Sequence, residues 1–343
     1  MPTFLTTSRM DPALAARVEA SVRGRRGAAR ARPRSSGRAR RVVSILRVVV
    51  VLTVAAGIYN IVVGRRERAR ALEEARAALL EEASAASSSF SPEDREALAR
   101  IESLLVRLSR ERGGDFVADE LKKPGALAAT LERPLVYVRG ASAALSETAQ
   151  IGGAAAASTK DALLLCLLEP PASRSEKAVL DEVRVAYTGG ANLEGRTRNA
   201  RRLDDLVVGL PFALPPWSEK VRSAADGEAI ARLRAELARA PLARAREAAR
   251  AELLLVAFDE PGDGGGPTEL DGERAHPVRV VLVELASSRE LLRLRRVVDP
   301  GWITPARRPT YASGLDACAL AFDLHEEVQK RAPTEPPAPR RSP

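Results

Sequence analysis

The sequence predicts an α+β protein with a single N-terminal transmembrane helix, a helical stalk and one mixed α+β domain of about five strands. Two observations lead to this fold class. Residues 42–63 form an apolar run with one charge, Arg47, and arginines stand on both sides of it. Further along, apolar and polar residues alternate through 277–298, as in half-buried β-strands, whereas residues 173–251 contain segments with helical spacing.

The apolar run is long enough to cross a bilayer. As a helix it extends about 33 Å, against a hydrocarbon core of about 30 Å. Arg47 lies close enough to one end for its side chain to reach the headgroups. A buried core helix is the alternative, but the flanking arginines and the lack of a polar face favour a membrane span. The charged segment before the run is too long for a cleaved signal peptide, so residues 42–63 are interpreted as an uncleaved signal-anchor.

The positive charge is concentrated before this run. The chain has a net charge of +9, and residues 1–47 contain 12 arginines and two acids, a net charge of +10. The remainder therefore carries −1. The arginine bias places the disordered tail, residues 1–41, in the cytoplasm and the domain outside, in the periplasm of a two-membrane bacterium. The tail is suited to anionic lipid. Nucleic acid is not favoured as a partner because no aromatic residues are interleaved with the arginines.

The stalk is predicted over residues 64–114. Ser91, Pro92 and the acids that follow indicate the start of a helix. Its apolar residues form a single seam, made of Leu98, Ile101, Leu105 and Leu108. That seam pairs with a second copy or packs on its own domain, and its short length favours packing on the domain. The α+β domain is expected over residues 115–330, followed by a disordered Pro-rich tail, residues 331–343.

Within the domain, the pattern predicts strands and helices in separate regions. The expected strands are 134–138, 162–168, 252–260, 277–285 and a partner near 292–298. The last two form a hairpin with one buried face and one arginine-bearing face toward water. The expected helices are 173–187, 218–240, 242–251 and 311–329. Residues 141–160 are expected to form a loop with some helical content, and the helices between the second and third strands form an insertion.

The two cysteines, Cys166 and Cys318, both lie in apolar segments. Two buried thiols are the favoured interpretation. A disulfide is the alternative if the domain is exported.

The search for catalytic or metal-binding motifs assigns no residue. Neither histidine, His276 or His325, accompanies a G-x-S-x-G elbow, and the segment from Gly153 to Lys160 lacks the second glycine of a P-loop. The segment most like a metal site is an acidic loop with His276 close behind. Its acids are Asp259, Glu260, Asp263, Glu269, Asp271 and Glu273. The loop does not follow the EF-hand pattern, so we interpret it as solvated and assign no catalytic, cofactor-binding or metal-binding residue and no cofactor.

These observations favour a membrane-anchored protein whose extracytoplasmic domain is an interaction or structural module of the cell envelope, partnered by another envelope protein. The alternative is a membrane-tethered hydrolase or metal-dependent enzyme that uses the acidic loop at 259–273.

Overall fold

The computed structural model describes residues 37–111, 113–158, 162–188, 199–261 and 275–331. The chain divides into two compact units, Met1–Arg70 and Ala71–Pro343. The boundary falls within the first helix, α1 (Gly37–Ser88). Most of the predicted tail at 1–41 and most of the predicted tail at 331–343 lie outside the described residues.

In the first unit, α1 carries the apolar run. Eleven large apolar side chains between Leu46 and Val62 are 42% to 68% exposed. Consecutive positions such as Val48–Val51 point to all sides of a helix, so the exposure is not restricted to one face. Among the described helices, α1 alone is long and apolar enough to cross a membrane.

The second unit is a mixed α+β structure built on a six-stranded sheet with the order β1-β6-β5-β4-β2-β3. The strands are β1 (Phe116–Val117), β2 (Leu135–Ala141), β3 (Ala200–Arg202), β4 (Leu253–Asp259), β5 (His276–Glu284) and β6 (Arg289–Val298). Strand β2 is parallel to both β3 and β4, and the pairs β4–β5, β5–β6 and β6–β1 are antiparallel. The predicted α+β class is confirmed, with six strands instead of five.

Helices cover both faces of this sheet. They are α2 (Pro92–Arg110), α3 (Ala126–Leu131), α4 (Ser142–Leu145), α5 (Thr148–Ala157), α6 (Leu163–Leu168), α7 (Glu176–Thr188), α8 (Leu203–Gly209), α9 (Pro215–Arg222), α10 (Gly227–Arg239), α11 (Leu242–Ala249) and α12 (Arg308–Lys330). One apolar core joins the sheet to α3, α6, α7 and α12, and we call that side the disulfide face. A second core joins the other side, the opposite face, to α2, α4, α5, α8 and α11.

Helix α2 packs on the sheet of the second unit. Ser91 and Asp94 form a reciprocal capping box at its start, with contacts of 3.1 Å and 2.9 Å between side chain and backbone. Ile101, Leu105 and Leu108 of the predicted seam are almost completely buried against the opposite face. The seam therefore packs on its own domain. A third apolar cluster joins α9 and α10 to the end of α1, including Leu79 and Ala83.

The strand predicted at 162–168 is wrong, because these residues form helix α6. An unbroken apolar run does not distinguish a buried strand from a buried helix. Leucine is a strong helix former, and the run LLLCLL contains no β-branched residue. Pro170 and Pro171 mark the end of the segment without determining its type.

Residues 141–160 are more helical than expected, since they contain α4 and α5. Their small residues have a packing reason. A side chain at Gly140 would lie 3.0 Å from the Cβ atom of Ala154, so α5 approaches β2 closely. The helix expected at 218–240 is also divided, because Asp226 caps a new helix by accepting a 2.8 Å hydrogen bond from the Ala229 amide.

The predicted hairpin of β5 and β6 is present, but its arginine-bearing face is not simply solvated. Helix α2 covers that face near β5, and Arg279 is only 2% exposed. Arg295 on β6 remains 52% exposed. The hairpin therefore has two covered faces near its centre and an exposed arginine toward its edge.

Candidate functional site

Charged side chains meet at the carboxyl ends of β2 and β4, the edge of an open sheet where ligands of α/β proteins usually bind. Arg139 lies near the end of β2, and Asp259 is the last residue of β4. His276 begins β5, the antiparallel neighbour of β4. The edge presents a charged cluster on the disulfide face and a cleft on the opposite face.

The charged cluster consists of Arg139, Asp259, His276 and Asp316. The Nη2 atom of Arg139 is 2.8 Å from Oδ1 of Asp259, and its Nε atom is 3.1 Å from both carboxylate oxygens. Nε2 of His276 is 3.1 Å from the same Oδ1. Each of these residues is 3% exposed or less. One carboxylate therefore serves both an arginine and a histidine in the interior.

Asp259 is held in its ionised form. Burial alone would raise the pKa of its carboxyl, but the charge of Arg139 and the hydrogen bond with His276 outweigh burial and lower the pKa to about 2. A histidine paired with an aspartate resembles part of a hydrolytic triad. Here the carboxylate is shared with Arg139 and the imidazole is buried, so the arrangement is that of a structural ion pair.

Asp316 enters the cluster from α12. It is 3% exposed, and neither carboxylate oxygen has a hydrogen-bond partner of good geometry among the described residues. Burial raises the pKa of this carboxyl to about 7, although Trp302, Arg139 and His276 act in the opposite direction. Asp299 adds to the increase. Asp316 is therefore a buried acid that changes its protonation near neutral pH.

The arginine cleft lies on the opposite face of the same edge and has a volume of about 350 Å³. Its described lining residues are Ser109, Gly113, Ser142, Glu260, Pro261, Arg279 and Arg295. Arg279 and Arg295 are direct partners across the β5–β6 ladder. Glu260 bridges them, with one oxygen 2.6 Å from Nε of Arg279 and the other 2.7 Å from Nε of Arg295.

Arg279 is fixed by its surroundings. Its Nη1 atom donates to the Leu108 carbonyl at 2.9 Å and its Nη2 atom to the Ser109 carbonyl at 3.3 Å, near the end of α2. Its guanidinium carbon lies 4.5 Å from the centre of the Phe258 ring, a cation–π contact. Burial alone would raise the pKa of Glu260, but Arg279 and Arg295 together lower it. Glu260 is therefore ionised between two guanidinium groups.

The structure tests the interpretation of the acidic loop only at its first two acids, Asp259 and Glu260. Asp263, Glu269, Asp271 and Glu273 lie outside the described residues. Asp259 and Glu260 are both engaged by arginines instead of standing free for a cation. Within the described ranges, no group of three or more His, Cys, Asp or Glu residues is arranged to hold a metal ion.

The structure gives a structural role or position to the histidines, the glycine-rich segment and the cysteines that the sequence singled out. His276 is a buried partner of Asp259 at the start of β5. His325 lies 2.8 Å from the Leu167 carbonyl, which joins α12 to α6. Gly153 is inside α5, and Lys160 lies outside the described residues. Cys166 and Cys318 form a disulfide, with Cα atoms 4.9 Å apart, so the favoured interpretation as two thiols is corrected.

Sequence reasoning missed Arg139, Arg279 and Asp316. Each has a local signal, an isolated charge next to apolar residues: Arg139 in LVYVRGA, Arg279 in PVRVVLV and Asp316 in the DACALAF part of α12. A charge in such a position is rarely buried without a partner. The identity of the partner depends on strand order, which the sequence does not state.

Comparison with known proteins gave no match, either to a family model, to a curated protein or to a solved structure.

Proposed function

We propose that this chain is a single-pass membrane protein whose α+β domain lies outside the cytoplasm and binds another protein of the cell envelope. The observation that carries the proposal is the apolar stretch of α1, where large side chains from Leu46 to Val62 are exposed. Exposed apolar surface of that extent is costly in water, and a bilayer removes the cost.

The disulfide supports an extracytoplasmic location. Disulfides persist in oxidising compartments and are rare in the cytosol. Cys166 and Cys318 are both completely buried, which protects the bond from exchange with external thiols. The excess of arginine before the apolar stretch supports a cytoplasmic N-terminal tail, and the same tail is suited to anionic lipid headgroups.

The surface near the arginine cleft supports a protein partner. Phe116 on β1 pairs with Arg293 on β6, so these residues share the opposite face with Arg295 and Val297. Phe116 is 41% exposed and Val297 is 63% exposed. Exposed apolar residues beside arginines are typical of protein interfaces. The enzyme alternative gains no support from Asp259 or Glu260, because arginines occupy both carboxylates.

Cysteine labelling tests the topology. The variants are Ala20→Cys in the tail and Lys177→Cys in the domain, where the Lys177 side chain is 90% exposed. The native disulfide is retained, and the wild-type protein is the control for background labelling. In intact cells with access to the outer membrane face, an impermeant maleimide should label position 177 and not position 20. Labelling of position 20 alone would contradict the proposed orientation.

Site-specific photocrosslinking tests the partner. A photoreactive amino acid at Val297 should give one discrete adduct of higher mass with an envelope protein. The matched control is the same amino acid at Val185, which is 41% exposed on α7. An adduct that forms equally at both positions would indicate random collision and would count against this surface as the interface.

A further inference from the structure

Positive charge exceeds negative charge among the described lining residues of the arginine cleft. Arg279 and Arg295 stand directly opposite each other on neighbouring strands, a position in which like charges repel. The carboxylate of Glu260 is the one acidic group among the described lining residues. Two positive charges and one negative charge leave the described lining with a net charge of +1. The described lining is therefore electrostatically suited to one additional negative charge.

The two arginines differ in the number of side-chain nitrogens that remain available as hydrogen-bond donors. All three nitrogens of Arg279 already donate to protein acceptors, so this residue supplies a fixed charge. Among the described residues, the Arg295 side chain makes one polar contact, from its Nε atom to Glu260, so its two Nη atoms remain available as donors. Its side chain is 52% exposed. The free fork of Arg295 matches the two oxygens of a carboxylate.

We propose that the arginine cleft binds the carboxylate group of a small acid or of a peptide terminus, with Arg295 as the bidentate donor and Arg279 as the fixed countercharge. The volume of about 350 Å³ is at the lower end of ligand pockets. A single negative charge neutralises the described lining, whereas a doubly charged phosphate leaves an excess of negative charge. This site goes beyond the proposed protein interface and does not depend on the membrane orientation.

The test uses the full-length protein in detergent, with N-acetylalanine as the probe and its neutral amide as the matched control ligand. A ligand that binds the folded state raises the melting temperature. At constant ionic strength, N-acetylalanine should raise the melting temperature of the wild-type protein, and the amide should not. Acetate serves as the second carboxylate. A larger shift with N-acetylalanine assigns a peptide terminus, and an equal shift assigns a small acid.

Three variants test whether the shift caused by N-acetylalanine arises from binding in the arginine cleft. Arg295→Gln should weaken N-acetylalanine binding at least about tenfold, because it removes a charged donor. Arg289→Gln is the matched control, since Arg289 is also on β6, is also 52% exposed and also forms an ion pair. It should keep the wild-type shift. Glu260→Gln should strengthen binding, because the described lining then carries two positive charges and no negative charge, and an unfolded variant cannot mimic that gain.

Several results would overturn the proposal. They are an absence of any shift in the wild-type protein, an equal shift with the neutral amide, an unchanged shift in Arg295→Gln, and weaker or unchanged binding in Glu260→Gln. A larger shift with inorganic phosphate than with N-acetylalanine would also overturn the assignment to a singly charged carboxylate. Each shift is measured against the unliganded melting temperature of the same variant, which separates binding from changes in stability.

Discussion

Arg139 and Asp259 form an ion pair across two neighbouring parallel strands, with their side chains 4% and 1% exposed. Both charges have been removed from water, and each compensates the other. Breaking a buried pair by removing one partner leaves an uncompensated charge, which is far more costly than losing a surface pair.

Arg139→Met should lower the free energy of unfolding by about 3–5 kcal/mol, because Asp259 then remains buried with His276 alone. The matched control is Lys177→Met, which breaks an exposed pair with Asp181 at 3.3 Å. The control should cost less than about 1 kcal/mol. Denaturant unfolding of both variants measures the difference. Equal losses of unfolding free energy in the two variants would show that the buried pair contributes no more to stability than the exposed pair.

Asp316 predicts a decline in stability between mildly acidic and neutral pH. Its folded pKa of about 7 lies above the ordinary value of 3.8. Between these values the folded state binds the proton and the unfolded state does not, so stability falls as pH rises through this window and then levels off. The decline amounts to at most about 4 kcal/mol, since one pKa unit corresponds to about 1.4 kcal/mol.

Asp316→Asn removes this titration. The variant should match the wild-type protein near the ordinary aspartate pKa and should be more stable than it above neutral pH. Asp181→Asn, at a 53% exposed position, is the control and should follow the wild-type curve. The free energy of unfolding across this pH range provides the measurement. Parallel curves for wild type and Asp316→Asn would mean that the carboxyl of Asp316 is solvated or paired.

The class of the fold is predictable from the sequence because its signals are local. Residues 253–259 and 276–298 carry strand patterns that need no knowledge of the rest of the chain. The strand prediction for Leu163–Leu168 fails because five consecutive residues, 163–167, are buried, so no alternation with polar residues reveals the period. Strands β1 and β3 have two and three residues, too few for any periodic pattern.

The candidate site is less predictable because it depends on pairing between distant residues. Arg139 meets Asp259 because β2 and β4 are neighbours, although 120 positions separate these residues in sequence. Arg279 and Arg295 face each other because of the register of one hairpin, which a shift by one residue would change. Acidic composition alone directed attention to 259–273, whereas the arginines opposite the first two acids determine what those acids do.

The disulfide predicts a stability that depends on reductant. Cys166 and Cys318 are separated by 152 positions, so the bond restricts a long loop in the unfolded chain. Its loss should lower the free energy of unfolding by about 2–5 kcal/mol. Unfolding of the wild-type protein with and without reductant measures the effect, and the double variant Cys166→Ala, Cys318→Ala is the control that reductant should not change. Equal wild-type curves would argue that the two cysteines are not bonded.

Gly209 predicts a steric effect at the contact between α8 and α11. A Cβ atom added there would lie 2.5 Å from the Cβ of Ala245 and 3.2 Å from the Pro241 carbonyl oxygen. Gly209→Ala should therefore destabilise the domain by about 1–3 kcal/mol through overpacking. Gly153→Ala is the matched control, because the added atom meets nothing within 4 Å inside α5. That variant should gain about 0.5–1 kcal/mol from reduced backbone entropy in the unfolded chain.

A compensating change distinguishes steric overlap from other causes. Ala245→Gly removes the nearest obstacle, so the double variant Gly209→Ala, Ala245→Gly should be more stable than the sum of the two single changes predicts. Denaturant unfolding of the four proteins in this cycle gives the coupling free energy. A coupling near zero would mean that α8 and α11 move apart freely, and that the glycine is not required for their close approach.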